Sequence, residues 1–160
     1  MKLSSKEFDK YGDWLFDRNP IFAAMWRRGG LVFSDEYDTA ALEIHNGKFR
    51  ISFNPKYWRR ITTENRLFII CHEYLHVVLG HWLNPVEKVD GEWLNIAQDI
   101  QVNEMLVSNH FGFIRSDIKN WKDQAWIETV FREKADIVEK KQDAEYYYKL
   151  IMQCLPEKAA

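Results

Sequence analysis

Residues 65–81, NRLFIICHEYLHVVLGH, constrain the fold more than any other stretch of the chain. Apolar side chains recur through the whole stretch, which is typical of a helix buried in a protein core. Thr62 or Thr63 can cap the start of this helix, and Gly80 can end it. We therefore expect a central apolar helix that carries the polar sequence His-Glu-x-x-His at residues 72–76.

A β-hairpin is predicted before this helix. Apolar and polar residues alternate in two short runs, residues 42–45 and 49–53, as they do in strands with one buried face. Asn46-Gly47 lies between the runs and favours a tight turn, because both central residues of such a turn need positive φ. One strand edge of the hairpin could bind the backbone of an extended peptide.

The remaining segments have mostly helical patterns. Ser4 and Glu7 form a capping-box pattern that begins a helix reaching about Phe16, and a second helix begins at Pro20 and ends at Gly29-Gly30. Other predicted segments are a helical turn after Pro55, a loop at residues 83–91, a helix at 92–108 that Asp90 can cap, and amphipathic helices at 123–140 and 143–154.

One hairpin among these helices predicts a mostly helical α+β fold, with the small antiparallel hairpin preceding the His-Glu-x-x-His helix. The length of 160 residues is typical of one domain. Since no linker-like stretch divides the chain, we expect residues 1–160 to form a single domain.

Composition narrows the possible partners and the location of the protein. The net charge of −2 provides no basic field for nucleic acid, and no apolar run approaches the 18 residues of a membrane helix. Cys71 and Cys154 do not form a disulfide framework, and the N-terminal segment lacks the apolar stretch of a signal peptide. We expect a cytoplasmic protein without nucleic-acid or membrane partners.

The His-Glu-x-x-His sequence predicts a zinc site with a general base beside it. Residues four apart on a helix share one face, so His72 and His76 can place two imidazole nitrogens on one Zn²⁺ ion. Glu73 lies about 100° around the helix from His72, beside the metal. Zinc lowers the pKa of a bound water to about 7, and Glu73 could take its proton.

Two residues compete for the third ligand position. His81 lies about 180° from His72 on a continuous helix, so it could reach the metal only if the chain turned sharply at Gly80. Asp99 is the favoured candidate, because a carboxylate among apolar residues is costly unless it is paired or bound to metal. Asn95 and Asn103 lie four residues on either side of Asp99 and could orient the ligands.

Two other interpretations give these residues different roles. In the first, His81 and Asp99 both bind zinc, and the closed site stabilises a binding or regulatory module without turnover. In the second, the histidines are core residues hydrogen-bonded to their neighbours in a helical interaction domain without metal. Zinc is the favoured metal for two histidines and a carboxylate, although iron, manganese and cobalt accept the same ligands.

The chain also resembles a family of metallopeptidase domains that are often fused to von Willebrand A-like domains and encoded near MoxR-type ATPases. The resemblance runs from about Pro20 to Leu150. It rests on the segments PIFAAMWRR, SFNPKYW, LFIICHEYLHVVLGH, WLNIAQDIQVNEML and AEYYYKLI, in this order.

This resemblance implies a zincin-like metallopeptidase domain with specific residue roles and partners. His72 and His76 would be zinc ligands, Glu73 the catalytic base and Asp99 the third ligand, and the substrate would be a peptide or protein. The von Willebrand A-like half has no counterpart in the sequence. A separate von Willebrand A-like protein or ATPase could therefore be a partner.

Overall fold

The computed structural model describes residues 1–81 and 91–155, which form the predicted α+β fold. The helices are α1 (Ser5–Arg18), α2 (Pro20–Gly29), α3 (Pro55–Arg60), α4 (Thr63–Val78), α5 (Gly91–Leu106), α6 (Ile127–Phe131) and α7 (Ala144–Cys154). The strands are β1 (Leu31–Phe33), β2 (Ala40–His45) and β3 (Lys48–Phe53). The cap predicted at Asp90 and most of the predicted loop lie outside the described residues. None of the described helices is long and apolar enough to cross a membrane.

The first two helices have the predicted start and stop signals. The Ser4 hydroxyl accepts the backbone N–H of Glu7 at 3.1 Å, and the Glu7 carboxylate accepts the N–H of Ser4, which confirms the capping box. Pro20 is the first residue of α2, as predicted. Gly29 ends α2 against the sheet, where a Cβ atom would lie 1.5 Å from the carbonyl oxygen of Phe49. Only glycine permits this close approach.

The predicted hairpin is confirmed, and a third strand extends it into a mixed sheet. Asn46 and Gly47 have φ angles of 51° and 74° in the turn between β2 and β3. β1 pairs in parallel with β3, which gives the strand order β1-β3-β2. β1 is not evident in the sequence, because three residues are too few to show an alternating pattern. In this described sheet β2 is an edge strand.

α4 lies in the first core, which it shares with α1, α2 and the sheet. The Thr62 hydroxyl accepts the N–H of Asn65 at 3.1 Å and caps α4, as predicted. The helix ends at Val78, and Gly80, with a φ of 72°, turns the chain. Fully buried members of this core include Leu15, Phe22, Trp26, Ile51, Phe53, Phe68 and Ile70.

A second core joins α5 to α6, α7 and the segment between them. One helix predicted in this part of the chain is wrong in its extent. α7 confirms the helix predicted at 143–154, but the helix predicted at 123–140 is interrupted after α6. Arg132 has a φ of 53°, and the α-helix ends there because left-handed backbone cannot continue it. A 3₁₀ segment, Arg132–Ile137, takes its place. Phe131 and Val138 on either side of the break are both buried in the second core.

Candidate metal centre

α4 and α5 bring three predicted side chains together. The Nε2 atoms of His72 and His76 lie 3.0 Å apart. Oδ1 of Asp99 on α5 lies 3.0 Å from Nε2 of His76 and 3.3 Å from Nε2 of His72. Ligand atoms of a tetrahedral zinc site lie roughly 3.3 Å apart when the bonds are about 2.0–2.1 Å long. These atoms of His72, His76 and Asp99 form a triangle that has the spacing of three zinc ligands.

Asn103 determines which nitrogen His72 turns toward this triangle. Oδ1 of Asn103 lies 2.8 Å from Nδ1 of His72, and its Nδ2 donates to the carbonyl oxygen of Ala125 at 3.0 Å. Because a carbonyl can only accept, the amide nitrogen of Asn103 must face Ala125 and its oxygen must face His72. Neutral His72 therefore donates from Nδ1 and directs a bare Nε2 toward Asp99.

His81 contacts the His76 ring at Nδ1, whereas Nε2 of that ring faces Asp99. Its Nδ1 lies 2.9 Å from Nδ1 of His76, and its Nε2 lies 2.7 Å from Oε1 of Gln101. Burial lowers the pKa of His81, although the hydrogen bond to Gln101 opposes this effect. The structure thus brings Asp99, and not His81, to the two Nε2 atoms.

Glu73 lines both of the cavities that open beside the triangle, and Asp99 also borders both. The first cavity has a volume of about 440 Å³ and the second about 420 Å³. Ala40, the first residue of β2, and Thr39 before it line the first cavity, and Leu42 of β2 lines the second. A larger cavity of about 730 Å³ adjoins Trp14 at a distance from this chemistry, and it contains none of the three clustered ligands.

A family model described as "Putative metallopeptidase domain" matches residues 5–150 of the chain. The chain belongs to this metallopeptidase domain family. The match confirms the resemblance to a family of metallopeptidase domains, and it includes every residue of the triangle. No curated protein and no solved structure matches the chain.

The electrostatics of the metallopeptidase domain favour a cation within the triangle. Burial opposes charge on Asp99, but the hydrogen bonds that His72 and His76 donate when their Nε2 atoms are protonated hold its pKa well below the usual range. Burial also lowers the pKa of His72, but the hydrogen bond that its protonated Nε2 donates to Asp99, together with the nearby carboxylates, outweighs burial and raises the pKa. Burial raises the pKa of Glu73, and the two histidines offset only part of this effect.

The donor chemistry of the triangle fits a metal ion. A bare Nε2 of His72 and an Asp99 oxygen only 3.3 Å away present lone pairs to each other, which is repulsive unless a positive charge lies between them. A proton or a metal ion can supply this charge. Two imidazole nitrogens and one carboxylate oxygen are a common ligand set for zinc.

Other polar residues of α5 have different positions around the site. The predicted residue Asn95 is exposed and lines the second cavity, and its orienting role stays a prediction. Gln98 and Gln101 contact His81 and were not predicted; Nε2 of Gln98 lies 3.3 Å from the His81 carbonyl oxygen. Their spacing of three places them on one side of α5, and this is the sequence signal that could have located them.

Proposed function

We propose that this metallopeptidase domain is a zinc-dependent peptidase in which Glu73 is the general base. The convergence of two histidine nitrogens and the Asp99 oxygen beside Glu73 supports these roles. Membership of the family supports the peptidase class of reaction. The substrate in this proposal is a peptide or protein.

His72, His76 and Asp99 would hold the zinc ion. Catalytic zinc sites use three protein ligands and keep one position open, and two cavities border this triangle. When bound, zinc polarises a carbonyl oxygen and makes water more acidic. A closed, purely structural site would need a fourth ligand, but both ring nitrogens of His81 face His76 and Gln101. This arrangement supports a peptidase over a zinc-stabilised module without turnover.

Glu73 is suited to moving the proton of the reaction. Glu73 borders both cavities beside the clustered ligands, and in this proposal it serves both the attacking water and the leaving nitrogen. Burial raises its pKa, and a raised pKa makes a carboxylate a stronger base. Glu73 would take a proton from the attacking water and return it to the leaving amine.

The outer edge of β2, which pairs with no other strand among the described residues, would bind the substrate backbone. In a hairpin with a two-residue turn, the residues that flank the turn form a hydrogen-bonded pair, and such pairs alternate along the ladder. His45 flanks the turn, so Ala41 and Glu43 also bond to β3, whereas Ala40 and Leu42 direct their backbone groups away from it. β2 borders both cavities, so an extended peptide paired with it would cross the site.

The substitution Glu73→Gln tests the proposed base, because it keeps the shape of the side chain and removes its charge. We expect zinc content and the midpoint of urea unfolding to match the parent, while peptide hydrolysis falls by about 100- to 10,000-fold. Mass spectrometry of an unstructured peptide mixture, incubated with each zinc-loaded protein, measures the cleavage. Equal cleavage by the variant and the parent would show that Glu73 is not the base.

Other expectations are part of the same proposal. The family match concerns residues 5–150 of this chain and does not identify a partner. A separate ATPase or von Willebrand A-like partner, a cytoplasmic location and a single domain over residues 1–160 therefore stay predictions.

A further inference from the structure

The chain turns after α4 and brings His81 back against this helix, which carries His72 and His76. Gly80 has a φ of 72°, and the backbone N–H of His81 then donates to the carbonyl oxygen of His76 at 2.9 Å. The side chain of His81 consequently meets Nδ1 of His76, the ring nitrogen that faces away from Asp99. His81 is thus fixed to the same helix turn that carries His76.

α5 and α7 determine which nitrogen of His81 carries a proton. Oε1 of Gln101 lies 3.1 Å from the backbone nitrogen of Ala144, at the start of α7, and 2.7 Å from Nε2 of His81. A backbone N–H can only donate, so the atom of Gln101 that faces Ala144 must be the amide oxygen. That oxygen can only accept, so His81 must carry its proton on Nε2.

The tautomer of His81 in turn determines the tautomer of His76. Neutral histidine has one N–H, so Nδ1 of His81 is an acceptor and Nδ1 of His76 must donate to it. Nε2 of His76 is then a bare lone pair, and it faces Nε2 of His72 and Oδ1 of Asp99. A bare nitrogen at this position is what a metal ligand requires.

We propose that His81, oriented by Gln101, is a positioning residue that sets the tautomer and direction of His76 without binding the metal. This inference rests on the proposed role of His76 as a ligand. It differs from the interpretation in which His81 is itself a ligand, because that role would require His81 to give up its contacts with His76 and Gln101. Hydrogen-bonded partners of this kind hold the rings of metal-binding histidines in many sites.

The zinc affinity of matched variants tests the inference without measuring catalysis. His81→Phe keeps a ring but removes the acceptor, and competition with a chromophoric chelator should show zinc binding weakened by about 10- to 100-fold. His81→Gln offers an amide oxygen to His76 and an N–H to Gln101, so it should recover most of the affinity. Asp99→Ala removes a ligand and should weaken binding more than His81→Phe does.

A spectroscopic measurement separates positioning from a general structural role. In the zinc-loaded parent, long-range ¹H–¹⁵N NMR should show His81 protonated at Nε2 and His76 protonated at Nδ1. Gln101→Leu should leave the fold intact but mix the two tautomers of His81. Protonation of His81 at Nδ1 in the parent would overturn the inference.

The outcomes also distinguish this inference from the proposed function. If His81→Phe binds zinc as tightly as the parent, His81 does not position His76. If His81→Phe loses as much affinity as Asp99→Ala and His81→Gln recovers none, His81 is a ligand and the inference is wrong. A parent that binds no zinc overturns both proposals. A parent that binds zinc without hydrolysing peptides overturns the peptidase function alone.

Discussion

Ala40→Pro is a direct test of whether β2 binds the substrate backbone. Ala40 is the first residue of β2, and the register directs its N–H away from β3. Proline has no N–H, but it is accepted at the first residue of a strand and on an edge strand when that N–H faces outward. The substitution therefore removes one proposed donor to the substrate and leaves the hydrogen bonds between β2 and β3 in place.

The size of the expected effect follows from the loss of one backbone hydrogen bond. Such a bond contributes about 0.5–1.5 kcal/mol net. Since about 1.4 kcal/mol corresponds to a tenfold change in rate, kcat/KM for a long peptide should fall by roughly 2- to 13-fold. Zinc content should not change, because Ala40 lines the cavity beside the triangle but provides none of its three ligand atoms.

The assay needs one control for the side chain and one for the strand. The kcat/KM is measured with a fluorogenic peptide long enough to span both cavities, together with zinc content and the midpoint of urea unfolding. Ala40→Gly alters the same side chain but keeps the N–H, so it should cleave faster than Ala40→Pro. Ala41→Pro removes an N–H that faces β3, so it should lower the unfolding midpoint. Parent-like kcat/KM in folded, zinc-loaded Ala40→Pro would refute backbone pairing at this position.

Two further predictions concern packing and burial. Gly29→Ala should destabilise the protein by about 3 kcal/mol and lower Tm by about 6–12 °C, because the added Cβ would collide with the Phe49 carbonyl oxygen. Gly91→Ala, which meets no atom within 4 Å, is the matched control, and equal Tm values for the two variants would contradict the packing argument. A thiol reagent should label half-buried Cys154 in the native protein but label Cys71 only after unfolding, since Cys71 is fully buried and burial raises its pKa. Labelling of native Cys71 at the rate of Cys154 would show that this part of the core opens readily.

The elements that could be predicted from the sequence are those with local signals. The cap at Thr62 and the turn at Asn46-Gly47 each depend on a few neighbouring residues, and the structure has both where the patterns place them. The ladder between β2 and β3 then follows from the two-residue turn, since the turn length sets the strand register.

Elements whose conformation depends on distant contacts could not be predicted in this way. β1 has three residues and is defined by its pairing with β3. The break at Arg132 leaves the spacing of apolar residues unchanged, so periodicity alone predicts one long helix there. The backbone conformation at Arg132 is instead associated with packing of both flanking segments into the core between α5 and α7.

The proposed metal centre combines both kinds of information. Spacing along α4 and α5 is sufficient to suggest that His72, His76 and Asp99 can meet, because helix periodicity determines which residues share a face. It cannot determine which ring nitrogen meets the metal, since that depends on hydrogen-bond partners elsewhere in the chain. The carbonyl of Ala125 and the N–H of Ala144, both after α5, set the orientation of the amides that contact the histidines. The C-terminal segments provide none of the three clustered ligands, yet in this structure they determine which lone pairs face the proposed metal site.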